Sequence, residues 1–109
     1  TIECGWSLRR PQAAYVALLD RMLTAGCAIR RAGSGALGLA DVAAGRTEGY
    51  AELHINSWDC AAGLLLVAEA GGRINDFFAG SGLLAGNPIL ATNAALAQPL
   101  SALAGIDLS

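Results

Sequence analysis

Extended and helical segments alternate along this 109-residue chain, which predicts an α/β domain with a mixed sheet flanked by helices. Three observations carry that prediction. Tyr15, Leu18, Leu19, Met22 and Leu23 recur at helical spacing. Residues 49–55 alternate as a strand does, with Tyr50, Glu52 and His54 on one face and Ala51, Leu53 and Ile55 on the other. The small and apolar run from Cys60 to Ala68 then reads as a helix closed by Gly71-Gly72.

The elements follow in order. Residues 1–6 read as a weak strand. Pro11 suits the first position of a helix that Gly26 ends. Cys27 to Ala32 reads as a strand. Ser34 can cap a second helix running through Ala44 and stopped by Gly45. The polar set Tyr50, Glu52 and His54 reads as a solvated strand face. A third helix runs from about Trp58 to Ala70, with Asp59 placed to favour its N-terminal dipole. Arg73 to Phe77 reads as a strand, residues 79–87 as a glycine-rich loop, and Ile89 to Thr92 as a short strand. Asn93 can cap a last helix, in which Pro99 would remove a hydrogen bond and introduce a kink.

Composition narrows the function. Hydrophobic residues make up 54% of the chain and charged residues only 15%. So apolar a chain is expected to turn part of its surface toward another chain or domain. The net charge is −2, and the basic residues cluster only as Arg9-Arg10 and Arg30-Arg31, which argues against a nucleic-acid partner. The run Cys60 to Ala68 is too short to span a bilayer, so no membrane partner is expected. Cys4, Cys27 and Cys60 are odd in number and lack C-x-x-C spacing. They read as reduced core residues of a cytoplasmic protein. The chain opens on Thr1, and Ile2-Glu3-Cys4 reads like the middle of a strand, so the sequence is expected to begin inside a domain.

Candidate sites are few. Gly33-Ser34-Gly35-Ala36-Leu37-Gly38 fits G-x-G-x-x-G literally, and such a turn can hold a phosphate oxygen at a helix start. Its context suits a dinucleotide site poorly, because Arg30 and Arg31 occupy the preceding strand and no acid clearly ends a second strand about 20 residues on. His54 is the only histidine, which excludes a histidine metal cluster within the chain. No serine sits in a G-x-S-x-G elbow. Asp59 serves as a helix-dipole charge, yet that role accounts neither for Trp58 before it nor for the small residues Cys60 to Gly63 behind it.

Four segments in this order, Gly33-Ser34-Gly35-Ala36, Gly49-Tyr50-Ala51-Glu52, Trp58-Asp59-Cys60-Ala61-Ala62-Gly63 and Glu69-Ala70-Gly71-Gly72, resemble the C-terminal half of the inositol monophosphatase family. Arg30 and the end of the second helix also fit. The resemblance covers nearly the whole chain. It implies the second half of a layered α/β/α/β/α sandwich, with residues 1–109 as one substrate- and metal-binding domain. It implies magnesium-dependent hydrolysis of a sugar or polyol phosphate such as inositol 1-phosphate. Asp59 would ligate a magnesium ion near the leaving oxygen. Glu52 would hydrogen-bond substrate hydroxyls, and Gly33, Ser34 and Gly35 would line the substrate pocket. Ser7 matches more loosely a serine near the sugar. An oxygen-only ligand such as Asp59 is what magnesium prefers.

The family's G-x-x-E and D-P-x-D-G-T segments do not occur here, so no catalytic set is complete within the chain. The expectation is a partner N-terminal half, inactivity of this chain alone, and a homodimer. Two rival classes stand beside this one: a dinucleotide-binding oxidoreductase half-domain using Gly33 to Gly38, and a non-catalytic assembly module.

Overall fold

A computed structural model describes residues 1–7 and 9–109. In chain order the elements are β1 (Ile2–Gly5), α1 (Gln12–Thr24), β2 (Ile29–Arg30), α2 (Gly35–Ala43), β3 (Gly49–Ile55), α3 (Ser57–Glu69), β4 (Arg73–Ile74), α4 (Gly82–Ala85), β5 (Asn87–Thr92) and α5 (Ala97–Ala104). The strands form one five-stranded sheet in the order β2-β1-β3-β5-β4. β1 runs parallel to both β2 and β3, while β5 is antiparallel to β3 and β4. The sheet is therefore mixed and flanked by helices, as the alternation of elements requires.

Each face of the sheet has its own core. On one face Ile2, Cys4, Ala51 and Leu90 pack against Leu18 and Met22 of α1 and Leu100 and Ala104 of α5. On the other, Tyr50, Ile89 and Ala91 pack against Leu39 and Val42 of α2 and Cys60, Leu64 and Val67 of α3. The period-2 alternation of β3 sends Tyr50 and Ala51 to opposite cores. α2 and α3 approach closely because Gly63 has no side chain: a Cβ there would lie 2.6 Å from Leu39 Cβ.

Several boundaries differ from the sequence expectation, each for a local reason. β2 is only two residues long and lies at the sheet edge, shorter than the Cys27 to Ala32 strand. β4 ends at Ile74 rather than Phe77 because the Asn75 side chain takes over the pairing. Its Nδ2 donates to Pro88 O at 2.8 Å, and its Oδ1 accepts from Leu90 N at 3.0 Å. The glycine-rich loop contains the helical turn α4, tied down where Ser57 Oγ donates to Leu83 O at 2.7 Å. Pro11 stands just before α1 rather than inside it.

Asn93 caps the turn ahead of α5, accepting from Leu96 N at 2.9 Å, and not the helix itself. Pro99 does not kink α5. It is the third helical residue, where the backbone nitrogen has no intrahelical acceptor to lose.

Candidate functional site

The site lies at the ends of β1 and β3 where α2 and α3 begin. A cavity of about 300 Å³ there is lined by Gly33, Ser34 and Gly35 before and at the start of α2, by Glu52 of β3, by Asp59 of α3, and by Trp6 beyond β1. A second cavity of about 480 Å³ shares Trp6, Glu52 and Asp59 and adds Ser7, Arg9 and Asn56.

The turn into α2 is built from its sequence. Gly33 takes φ +83°, a left-handed conformation that suits glycine. Ser34 Oγ accepts from Leu37 N at 3.2 Å and caps the helix as its residue type predicts. Gly38 N bonds Ser34 O, and the first-turn amides of Gly35 and Ala36 beside the cavity have no hydrogen-bond acceptor among the described residues. Gly35 must be small, because a Cβ there would lie 2.6 Å from Ile55 Cδ1 and 3.3 Å from the Tyr50 hydroxyl.

Glu52 and Tyr50 are buried, which corrects the reading of Tyr50, Glu52 and His54 as a solvated face. α2 and α3 cover that side of β3. The Tyr50 hydroxyl donates to Glu52 Oε1 at 2.5 Å. Burial pushes the Glu52 carboxyl above its ordinary range. The Tyr50 hydrogen bond opposes the rise, the Asp59 charge adds to it, and His54 and Arg31 oppose it. Burial and the neighbouring Glu52 drive the Tyr50 hydroxyl far upward, so it remains a donor. Gly5 permits this pairing, because any Cβ there would collide with the Glu52 carboxylate and the Tyr50 hydroxyl.

Alternation along β3 fails at one place. The register with β5 shifts between Glu52 and Ile55. That irregularity turns Ile55 to the same side as Tyr50, against the expectation that it faces with Ala51 and Leu53. Ile55 therefore lines both cavities. His54 takes a separate path: its Nε2 lies 2.8 Å from Ala85 O, and it lines neither cavity.

Asp59 sits in the first turn of α3, with its backbone N bonded to Asn56 O at 3.1 Å. Its carboxylate has no hydrogen-bond or ion-pair partner among the described residues and borders both cavities. Trp58 beside it is 73% exposed and packs into neither core. Behind Asp59, Cys60 is buried, and its thiol is pushed up to about 12, chiefly by burial, so it acts as an inert core residue. All three cysteines are unpaired.

Sequence reasoning missed one network. Glu3 is buried in β1 and takes Nε and Nη2 of Arg30 at 2.9 and 2.8 Å. Arg30 also bridges to Asp41 of α2, which reaches Arg46 at 3.4 Å. The Arg30 hydrogen bonds hold Asp41 below the usual carboxylate range. This ladder fastens β1, β2 and α2 together under the glycine turn. The available signal was an acid in the otherwise apolar run Ile2 to Cys4.

Among the described residues, no three His, Cys, Asp or Glu side chains converge as a metal cluster. The free Asp59 carboxylate matches the hard oxygen donor that magnesium takes, so it fits one position of a coordination shell and does not complete one. No helix is long and apolar enough to cross a membrane among the described residues.

A mixed sheet with α2 and α3 beginning at a cavity lined by Glu3, Glu52 and Asp59 defines a layered α/β protein. A model of the inositol monophosphatase family matches residues 3–105. The Nus factor SuhB of Haemophilus influenzae is 38% identical over 103 residues, covering 92% of this chain and 39% of that protein. The inositol-1-monophosphatase of Mesorhizobium japonicum is 46% identical over 72 residues, covering 66% of this chain and 27% of that protein. The crystal structure of the suppressor protein SuhB from Bartonella henselae superposes with a TM-score of 0.80 at 36% identity, covering 94% of this chain and 40% of that one. The inositol monophosphatase of Anabaena gives 0.79 at 35% identity, covering 94% and 41%.

This chain belongs to the inositol monophosphatase family. It spans about two fifths or less of the length of these relatives. Its G-x-G-x-x-G run follows a two-residue edge strand, whereas a dinucleotide fold places that turn after a central strand.

Proposed function

We propose that the polypeptide to which this chain belongs is a magnesium-dependent phosphomonoesterase acting on inositol 1-phosphate or a related sugar or polyol phosphate. One observation carries the reading: the buried Glu52, the unpartnered Asp59 and the Gly33-Ser34-Gly35 turn border a single cavity. Residues 1–109 act as its substrate- and metal-binding domain, completed by an N-terminal half that supplies the remaining metal ligands. A cytoplasmic homodimer is the wider setting of this reading.

Each residue has a defined task. Asp59 would hold magnesium together with ligands from outside this chain. Bound magnesium supplies charge neutralisation at the phosphate and the leaving oxygen. Glu52 Oε1 is fixed by Tyr50, which leaves Oε2 to accept from substrate hydroxyls. The Gly35 and Ala36 amides donate to a substrate oxygen, helped by the positive end of the α2 dipole. The Glu3–Arg30–Asp41 ladder holds that turn in place.

The test is phosphate release from inositol 1-phosphate with magnesium. The whole polypeptide turns over and the 109-residue chain alone does not. Asp59→Asn in the whole polypeptide loses about 100-fold or more in kcat/KM, beyond the range for residues that only support a metal ligand, with its melting curve intact. Full activity in that variant overturns the Asp59 assignment, and turnover by the chain alone overturns the need for a second half.

A further inference from the structure

Asn56 stands at the N-cap of α3 with an extended backbone, φ −84° and ψ 151°, yet its side chain makes no cap hydrogen bond. Two residues of the same kind behave as their chemistry directs: Ser34 Oγ accepts from Leu37 N, and Asn93 Oδ1 accepts from Leu96 N. At α3 the backbone alone closes the first turn, with Asp59 N donating to Asn56 O at 3.1 Å. The Asn56 side chain lines the second cavity, beside Glu52 and Asp59. The residue is only 9% exposed, and its carboxamide has no hydrogen-bond partner among the described residues. A buried amide left without partners is costly, so one that forgoes its cap and borders a cavity is suited to a ligand that satisfies it.

We propose that Asn56 is a further substrate-binding residue, whose carboxamide hydrogen-bonds a hydroxyl of the ester's alcohol portion next to the one that Glu52 takes. This role rests on the phosphatase reading and adds a contact that Glu52 and Asp59 do not supply. Both carboxylates, when ionised, only accept. Glu52 Oε1 is already held by the Tyr50 hydroxyl, which leaves one oxygen for a substrate donor. Hydroxyls on neighbouring carbons need partners that donate as well as accept. A carboxamide carries both functions, two N–H donors and a carbonyl acceptor, in one neutral group. Neutrality matters at this place, because a third carboxylate beside Glu52 and Asp59 would repel both.

The test uses the whole polypeptide with magnesium and two esters, inositol 1-phosphate and phenyl phosphate, whose ring carries no hydroxyl. Asn56→Ala lowers kcat/KM for inositol 1-phosphate by about 2- to 10-fold, the range of one neutral hydrogen bond, and leaves that for phenyl phosphate unchanged. Asn56→Ser shows the same selective loss while melting no lower than the parent, because a serine there caps α3, as Ser34 caps α2, and no longer reaches the hydroxyl. A second readout needs no turnover. In ligand-observed NMR with inositol 1-phosphate and no added metal, both variants bind more weakly than the parent. Equal losses on the two esters, recovery of the parent's preference in Asn56→Ser, or no difference by NMR overturns the proposal. If neither ester is hydrolysed, the phosphatase reading fails while the NMR titration still decides the Asn56 contact.

Discussion

The two faces of this sheet are buried by the same kind of layer and do different work. The face under α1 and α5 is sealed by Leu18, Met22, Leu90 and Leu100, with no ionisable side chain other than Cys4 in its buried core. The face under α2 and α3 buries Tyr50 and Glu52 beside its apolar residues and opens into the cavities. Close packing there depends on missing side chains, since Gly5, Gly35, Gly38 and Gly63 all lie where a Cβ would crowd a neighbour. The contrast teaches that one strand can serve both ends: β3 gives alternate residues to a structural core and to a chemical one.

The largest effect is expected on the sealed face. Leu18 is fully buried, and Leu18→Ala should cost about 2–5 kcal/mol, read as a lower denaturation midpoint at unchanged m-value. The folded whole polypeptide should keep its KM, because none of the buried residues of that core borders the two cavities. A change in KM would break the distinction between the faces.

Gly38→Ala tests the other face by the sign of its effect. In an exposed helix interior the change would stabilise by about 1 kcal/mol. Here the new Cβ would lie 2.5 Å from the Tyr50 ring, and overpacking of this kind costs about 1–3 kcal/mol. The variant should therefore melt lower than the parent and bind substrate more weakly, because Tyr50 carries Glu52. A higher melting temperature would show that the Tyr50 ring yields freely.

The same contrast separates what was readable in the residues from what was not. The sealed face declares itself through periodicity: Leu18 and Met22 one helical turn apart, with Cys4, Ala51 and Leu90 on apolar strands. The glycine turn and the Ser34 cap were also legible, because each needs its residue type at that position. The polar face was misread because Tyr50, Glu52 and His54 alternate as a solvated edge would. Only the tertiary cover of α2 and α3 buries the first two. The irregularity that turns Ile55 inward leaves no trace in composition. The Glu3–Arg30 pair joins residues 27 positions apart and emerges only once β1 and β2 are neighbours.

The smallest effect is the most specific to the chemical face. Glu52 has its carboxyl raised by burial, so the folded chain holds that proton at pH values where the unfolded chain has lost it. Stability should fall as pH rises from the ordinary carboxylate range through the raised Glu52 value, and the full penalty should persist above it. Glu52→Gln removes the titration. In metal-free buffer, melting temperatures followed from about pH 3.5 to 8 should diverge, with the variant gaining on the parent as pH rises. Tyr50→Phe should act in the opposite sense, because it deletes the hydrogen bond that favours the charged carboxylate and so steepens the fall. If Glu52→Gln leaves the pH dependence of melting unchanged, burial does not raise the Glu52 carboxyl, and the electrostatic half of the contrast is lost.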